Sequence, residues 1–121
     1  MIDKPKFEFY QRMNGHVEFT EFLATLPDRD TRDLLLTIQK VENIGLMHAQ
    51  RVQWVKKLDT NLYEIRSRNG KSIHRALYFH VAGSQYVITH GFTKKTQRTP
   101  QKEITHEKQL RNEYLSGGNH G

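Results

Sequence analysis

The residues of this chain best suited to chemistry are Arg66, Arg68, Arg75, His90, Lys94 and Lys95, all of which lie between Leu62 and Gln97. Arginine grips phosphate through a planar, permanently charged fork, and imidazole titrates near neutrality, so the set suits anion binding and phosphoryl transfer. Cutting RNA without a metal needs little else. A base takes the 2′-hydroxyl proton, cations stabilise the charged phosphorane, and an acid protonates the departing 5′-oxygen. The arginines fit the second role. His90 fits either proton-transfer role or a structural, hydrogen-bonded one; if it is structural, Lys94 or Lys95 must serve. Phe92 and Tyr78 are candidates for stacking on an unstacked base, although such rings more often fill a core.

Strands must bring these groups together. Asn69-Gly70 sits between two runs rich in β-branched and aromatic residues and reads as a type I′ hairpin turn. With Arg68 facing Lys71, Arg66 falls opposite Ile73, Glu64 opposite Arg75 and Leu62 opposite Leu77. Alternation then places Arg66, Arg68, Lys71 and Arg75 on one face. A two-residue Gly83-Ser84 turn pairs Phe79 with Ile88, Leu77 with His90 and Arg75 with Phe92, which adds His90 and Phe92 to that face; a loop of the other parity would reverse both. Lys56 and Lys57 lead into the first of these strands, at the lip of the face. A polar, basic loop holding Lys94, Lys95, Thr96 and Arg98 follows the last strand. Around the six catalytic candidates, Lys56, Lys57, Lys71, Phe92, Thr96 and Arg98 are therefore the expected RNA contacts.

At 121 residues the chain reads as one domain, residues 1–115, followed by a flexible tail, residues 116–121. It has no cysteine, which excludes disulfides and thiolate metal sites. No apolar run approaches a membrane span and the first residues do not resemble a secretion signal, so the expectation is a soluble cytoplasmic protein. The net charge of +6 is unevenly spread: seven Lys/Arg face eight Asp/Glu through Gln53, and twelve face five from Trp54 onward. Such asymmetry on the strand region favours nucleic acid, or an acidic protein segment, as partner. The seven histidines lack the spacing of a helical metal site, and no metal or cofactor is expected.

In chain order, Phe7 to Tyr10 reads as a strand. Phe19, Phe22, Leu23 and Leu26 recur at helical steps over residues 17–26, and Pro27 ends that helix. Asp28 caps a second helix whose buried stripe is Leu34, Leu35, Ile38 and Val41, stopped by Gly45. Residues 46–55 read as an irregular connector in which Trp54 could stack on a base, though packing beneath the sheet is the commoner role for such a ring. Thr99 and Pro100 suit the N-cap and first position of a last helix reaching Leu115.

This order, with Leu62-Tyr-Glu-Ile-Arg-Ser-Arg68, Arg75-Ala-Leu-Tyr-Phe79 and His90-Gly-Phe-Thr-Lys-Lys-Thr-Gln-Arg-Thr-Pro100, resembles the RelE/ParE toxin superfamily and specifically its HigB-like, phage-derived branch. The resemblance implies an α+β fold ordered β-α-α-β-β-β-α, with a mainly antiparallel four-stranded sheet. It implies a type II toxin–antitoxin toxin, a metal-independent endoribonuclease that cuts mRNA in the ribosomal A site. By position, Lys57 matches the family's lysine before the second strand, Arg68 and Arg75 its strand arginines, and Phe92 to Lys95 its basic segment. The implied partner is a cognate antitoxin, often a HigA-like helix-turn-helix protein, through which alone operator DNA would be reached. ParE-like members implicate a second function, non-enzymatic inhibition of DNA gyrase, and an inactive toxin serving as antitoxin corepressor is a third.

Overall fold

The computed structural model describes residues 4–118. Five strands, β1 (Lys6–Phe9), β2 (Val55–Asp59), β3 (Leu62–Asn69), β4 (Ser72–Ala82) and β5 (Gln85–Lys94), form one mixed sheet ordered β1-β5-β4-β3-β2. Helices α1 (Glu18–Leu23), α2 (Asp28–Ile44) and α3 (Leu46–Arg51) precede β2, and α4 (Gln101–Glu113) follows β5. The α+β class and the central antiparallel strands are as expected, but the sheet has five strands, because Val55–Asp59, expected only as a lead into the next strand, forms β2. β1 adds in parallel beside β5, an arrangement that short aromatic alternation cannot signal.

The connector expected over residues 46–55 is instead α3 and its exit. The N–H of Gln53 bonds the carbonyl of Gln50 and the N–H of Trp54 that of Ala49, the paired bonds of a Schellman ending, with Gln53 in the left-handed region at φ 66°. Glycine normally fills such a position, so the sequence carries no stop signal there. The Trp54 carbonyl then accepts the Arg66 N–H at 2.8 Å and starts the β2–β3 ladder.

Two cores flank the sheet. Ile65, Ala76, Tyr78 and Ile88 face Phe19, Leu34, Ile38 and Val41 of α1 and α2. On the other face Leu62, Phe79 and Val87 meet Leu110 of α4. Leu35, expected in the α2 stripe, is exposed, because it lies one residue, about 100° of helix, from Leu34. Tyr114 to Gly118 make one π-helical turn, so the expected tail begins inside a helical segment, and its remainder lies outside the described residues.

The registers also differ. The β3–β4 turn is Gly70-Lys71, with Asn69 paired to Ser72 and Gly70 at φ 61°. Glycine first, without a second left-handed residue, fits type II′. Asn69 is kept in the strand, where its Nδ2 donates to Asp33 Oδ2 of α2 at 2.8 Å. Every β3–β4 pair thereby moves by two residues: Arg68 pairs with Ile73, Arg66 with Arg75 and Glu64 with Leu77. The faces survive this shift, but Lys71 leaves them for the turn. In the next hairpin Gly83-Ser84 is the turn, and Leu77–His90 and Arg75–Phe92 pair as expected. Between these ends two compensating bulges set Tyr78 opposite Ile88 and Phe79 opposite Val87, replacing the expected Phe79–Ile88 pair. Both faces are buried there, so apolar alternation could not report the slip.

Gly91 makes the α1–β5 contact possible. A Cβ at this position would lie 2.4 Å from Phe22 Cδ2 and 2.8 Å from the Arg75 carbonyl oxygen. Gly91→Ala is expected to lower the urea midpoint, at a cost of about 1–3 kcal/mol; an unchanged midpoint would show that α1 is free to move away.

Candidate nucleic-acid interface

Placing Arg66 opposite Arg75 sets two like charges side by side, a destabilising pair that an anion between them offsets. Glu64, fully buried two residues before Arg66, supplies it. Arg66 Nε donates to Glu64 Oε2 at 2.6 Å, Thr99 Oγ1 donates to Oε1 at 2.6 Å, and Arg75 Nε lies 3.5 Å from Oε1 as an ion pair without hydrogen-bond geometry. The guanidiniums also fasten the loop after β5. Arg75 Nη2 donates to the Thr96 carbonyl, while Arg66 donates to the Gln97 carbonyl and, at 2.9 Å, to Gln97 Oε1. Thr99 thus spends its hydroxyl on Glu64, and α4 starts one residue later than expected, with Pro100 as N-cap.

This network decides which expected site residues a ligand could reach. Arg75 has no exposed surface and its guanidinium lies 5.1 Å from the Phe92 ring centroid, which buries that ring too. Burial pulls the Arg75 pKa down and the adjacent Glu64 opposes the shift. His90 is also buried, with Nε2 3.1 Å from Glu103 Oε1 and Nδ1 3.0 Å from Thr89 Oγ1. The His90 hydrogen bond holds the Glu103 carboxyl below its ordinary range. Arg75, Phe92 and His90 therefore share a face with Arg66 but hold the interior together. Lys94, Lys95, Thr96 and Arg98 are exposed along the strand end and loop, and Lys71 is exposed in its turn.

What opens to solvent is the β2 side of the sheet. A cleft of about 470 Å³ is lined by Lys40, Gln53, Trp54, Arg66, Arg68 and Gln97, with Asp33, Leu36, Thr37, Ser67 and Ile73. A second, of about 500 Å³, is lined by Gln50, Val55, Lys56 and Lys57 and shares Gln53, Arg66 and Gln97 with the first. Among the described residues lining the two, Asp33 alone is acidic, and it already accepts from Asn69. The clefts thus bring Arg66, Arg68, Lys56 and Lys57 together, and add Lys40, Gln53, Trp54 and Gln97. Lys40 was legible only as a polar position on α2, because nothing local says that this face of the helix borders the sheet edge.

Glu107 of α4 is fully buried, and neither carboxyl oxygen has a hydrogen-bond partner. Burial pushes its pKa up to about 9, the nearby Glu64 adds to the shift, and the Tyr63 backbone and Arg111 offset only part of it. No group of three or more His, Cys, Asp or Glu that could hold a metal ion occurs among the described residues, and no helix among them is long and apolar enough to cross a membrane.

The profile of a family described as "Phage derived protein Gp49-like" matches residues 21–112, a span that holds every residue of the two clefts. No curated protein matches the chain.

The Glu107 shift fixes a sign. With a folded pKa above the unfolded one, the folded state holds the extra proton, and stability falls as pH rises from about 4.5 through about 9. By pH 7 the loss is on the order of 3 kcal/mol. Urea titrations across this range should show the native protein losing stability relative to Glu107→Gln as pH rises; equal slopes in both would place the carboxyl in water.

Proposed function

Because the chain belongs to the phage-derived Gp49-like family, a family related to the toxins of type II toxin–antitoxin pairs, we propose that it is a HigB-like toxin that cleaves mRNA on the ribosome. The observation that carries this reading is the pair of clefts at the sheet edge, where Lys56, Lys57, Arg66, Arg68 and Lys40 converge around one engaged carboxylate. Converging cations meet the main requirement of metal-free phosphodiester cleavage, stabilisation of charge on the phosphorane. Arg68 and Lys57, both exposed, are the groups to hold the phosphates on either side of the scissile bond. Arg66 stands between the clefts with its fork turned to Gln97. Lys94 ends β5, paired to Ile73 at the wall of the first cleft, Lys95 follows it, and one of these two is the group we assign to proton exchange with a bound strand. Arg75, His90 and Phe92 act indirectly, by holding the loop and sheet in place.

The partners that follow are a cognate antitoxin, HigA-like with a helix-turn-helix, mRNA in the ribosomal A site, and operator DNA through the antitoxin alone. The place of action would be the cytoplasm. One observation favours the ParE-like alternative: Arg75 and His90, the two groups best suited to catalysis by type, are both buried and engaged. A gyrase inhibitor working by protein contact would need neither.

Primer extension on a defined mRNA in a purified translation system separates the two. New 5′ ends at A-site codons are expected with the native protein, weakened on the order of a hundredfold in Arg68→Ala and in Lys57→Ala. Intact mRNA together with gyrase-dependent DNA breaks would establish the alternative. Arg75→Ala is unsuited to this comparison, since it empties a buried charge site.

A further inference from the structure

Trp54 lies where two independent devices fix it. The Schellman bonds of α3 hold its backbone on one side, and its carbonyl is tied to the Arg66 N–H on the other. Trp54 packs against the core cluster and also lines the first cleft. Over the ring, 5.7 Å from its centroid, sits the ammonium of Lys40. Gln53, the residue before it, occupies a left-handed backbone position that glycine would fill without strain, and it lines both clefts. A strained non-glycine residue at a cleft points to a use for the side chain. Gln97 reaches the same cleft from the opposite loop, so two residues with amides able to donate and accept share a cleft with Trp54.

We infer that Trp54 is the platform on which one unstacked nucleobase of a single-stranded RNA stacks, with the amides of Gln53 and Gln97 at the edge of that base. The inference rests on the RNA-cleaving reading and assigns the part of the substrate that the cations do not recognise. The bound base displaces the Lys40 ammonium from the ring, and Lys40 then turns to the adjoining phosphate. Stacking on an indole accepts any base, because every base has a π-face. The amides are the groups that would discriminate among base edges. When the Gln97 amide turns to the base it gives up its bond from Arg66, which Glu64 and the Gln97 carbonyl continue to hold between the two clefts.

Trp54 is the only tryptophan of the chain, so native fluorescence reports this ring alone. A short single-stranded oligoribonucleotide is expected to quench it, whereas an abasic oligomer of equal length and inorganic tripolyphosphate leave it nearly unchanged. Trp54→Leu should weaken oligoribonucleotide binding, followed by anisotropy, about tenfold or more and leave abasic binding as it was. Gln53→Gly relieves the backbone and keeps the test open if Trp54→Leu fails to fold: it should bind the oligoribonucleotide several-fold more weakly while its urea midpoint holds or rises. No quenching by the oligoribonucleotide, or equal quenching by the base-free probes, would overturn the platform. Cleavage of mRNA that is unaltered in both variants would overturn it and leave the nuclease reading standing. Base-dependent quenching without cleavage by the native protein would support the platform and remove the nuclease reading.

Discussion

A single buried anion governs this fold. Glu64 has no contact with water, and around it gather two guanidiniums that face each other across neighbouring strands and the hydroxyl of Thr99. Removing one partner of such a cluster leaves the others charged and dry, typically a loss of about 3–5 kcal/mol. The consequences extend beyond the cluster. With the anion in place, Arg66 and Arg75 can turn their remaining donors to Thr96 and Gln97, so the loop after β5 lies across the sheet. Thr99 anchors the same loop and sets where α4 begins. The direction of α4 in turn buries Leu110 against Leu62 and Phe79, and brings Glu107 into the interior with no partner.

That arrangement divides the cations into two populations. Arg75 lies inside, where it serves the sheet; Lys40, Lys56, Lys57 and Arg68 are exposed at the β2 side and can serve a ligand. Arg66 belongs to both, since its fork is tied to the loop while its flank borders both clefts. An edge strand normally needs protection from further pairing, and lysines are a common device for it. Lys56 and Lys57 give β2 that protection and at the same time form a surface attractive to polyanions. The positive excess in the second part of the sequence is thus split between interior and edge, a distinction that net charge cannot express.

Much of the frame was legible in the sequence. The α2 stripe of Leu34, Ile38 and Val41, the stop at Gly45, the Gly83-Ser84 turn and the sharing of one face by Arg66, Arg68, Arg75, His90 and Phe92 all follow from periodicity and turn chemistry. The rest depended on tertiary partners. Asn69 looks like half of a type I′ turn until Asp33 of α2 claims its side chain. Gln53 conceals a helix ending that glycine would have announced. Arg75 carries the same code whether it faces water or a buried Glu64, so its burial could not be read from its type. Trp54 packs against the core cluster, the commoner of the roles weighed for it, and it also lines a cleft, which its type alone could not show.

The most direct test of the governing role of Glu64 is a double-mutant cycle on folding stability with Glu64→Gln, Arg75→Met and the pair together. If one buried anion holds the arginines and loop, each single substitution should cost about 3 kcal/mol or more, and the double variant should cost little more than either, a coupling of about 2–3 kcal/mol. Additive losses, with no coupling between the two positions, would contradict the assignment and return Arg75 to the residues free to meet a substrate.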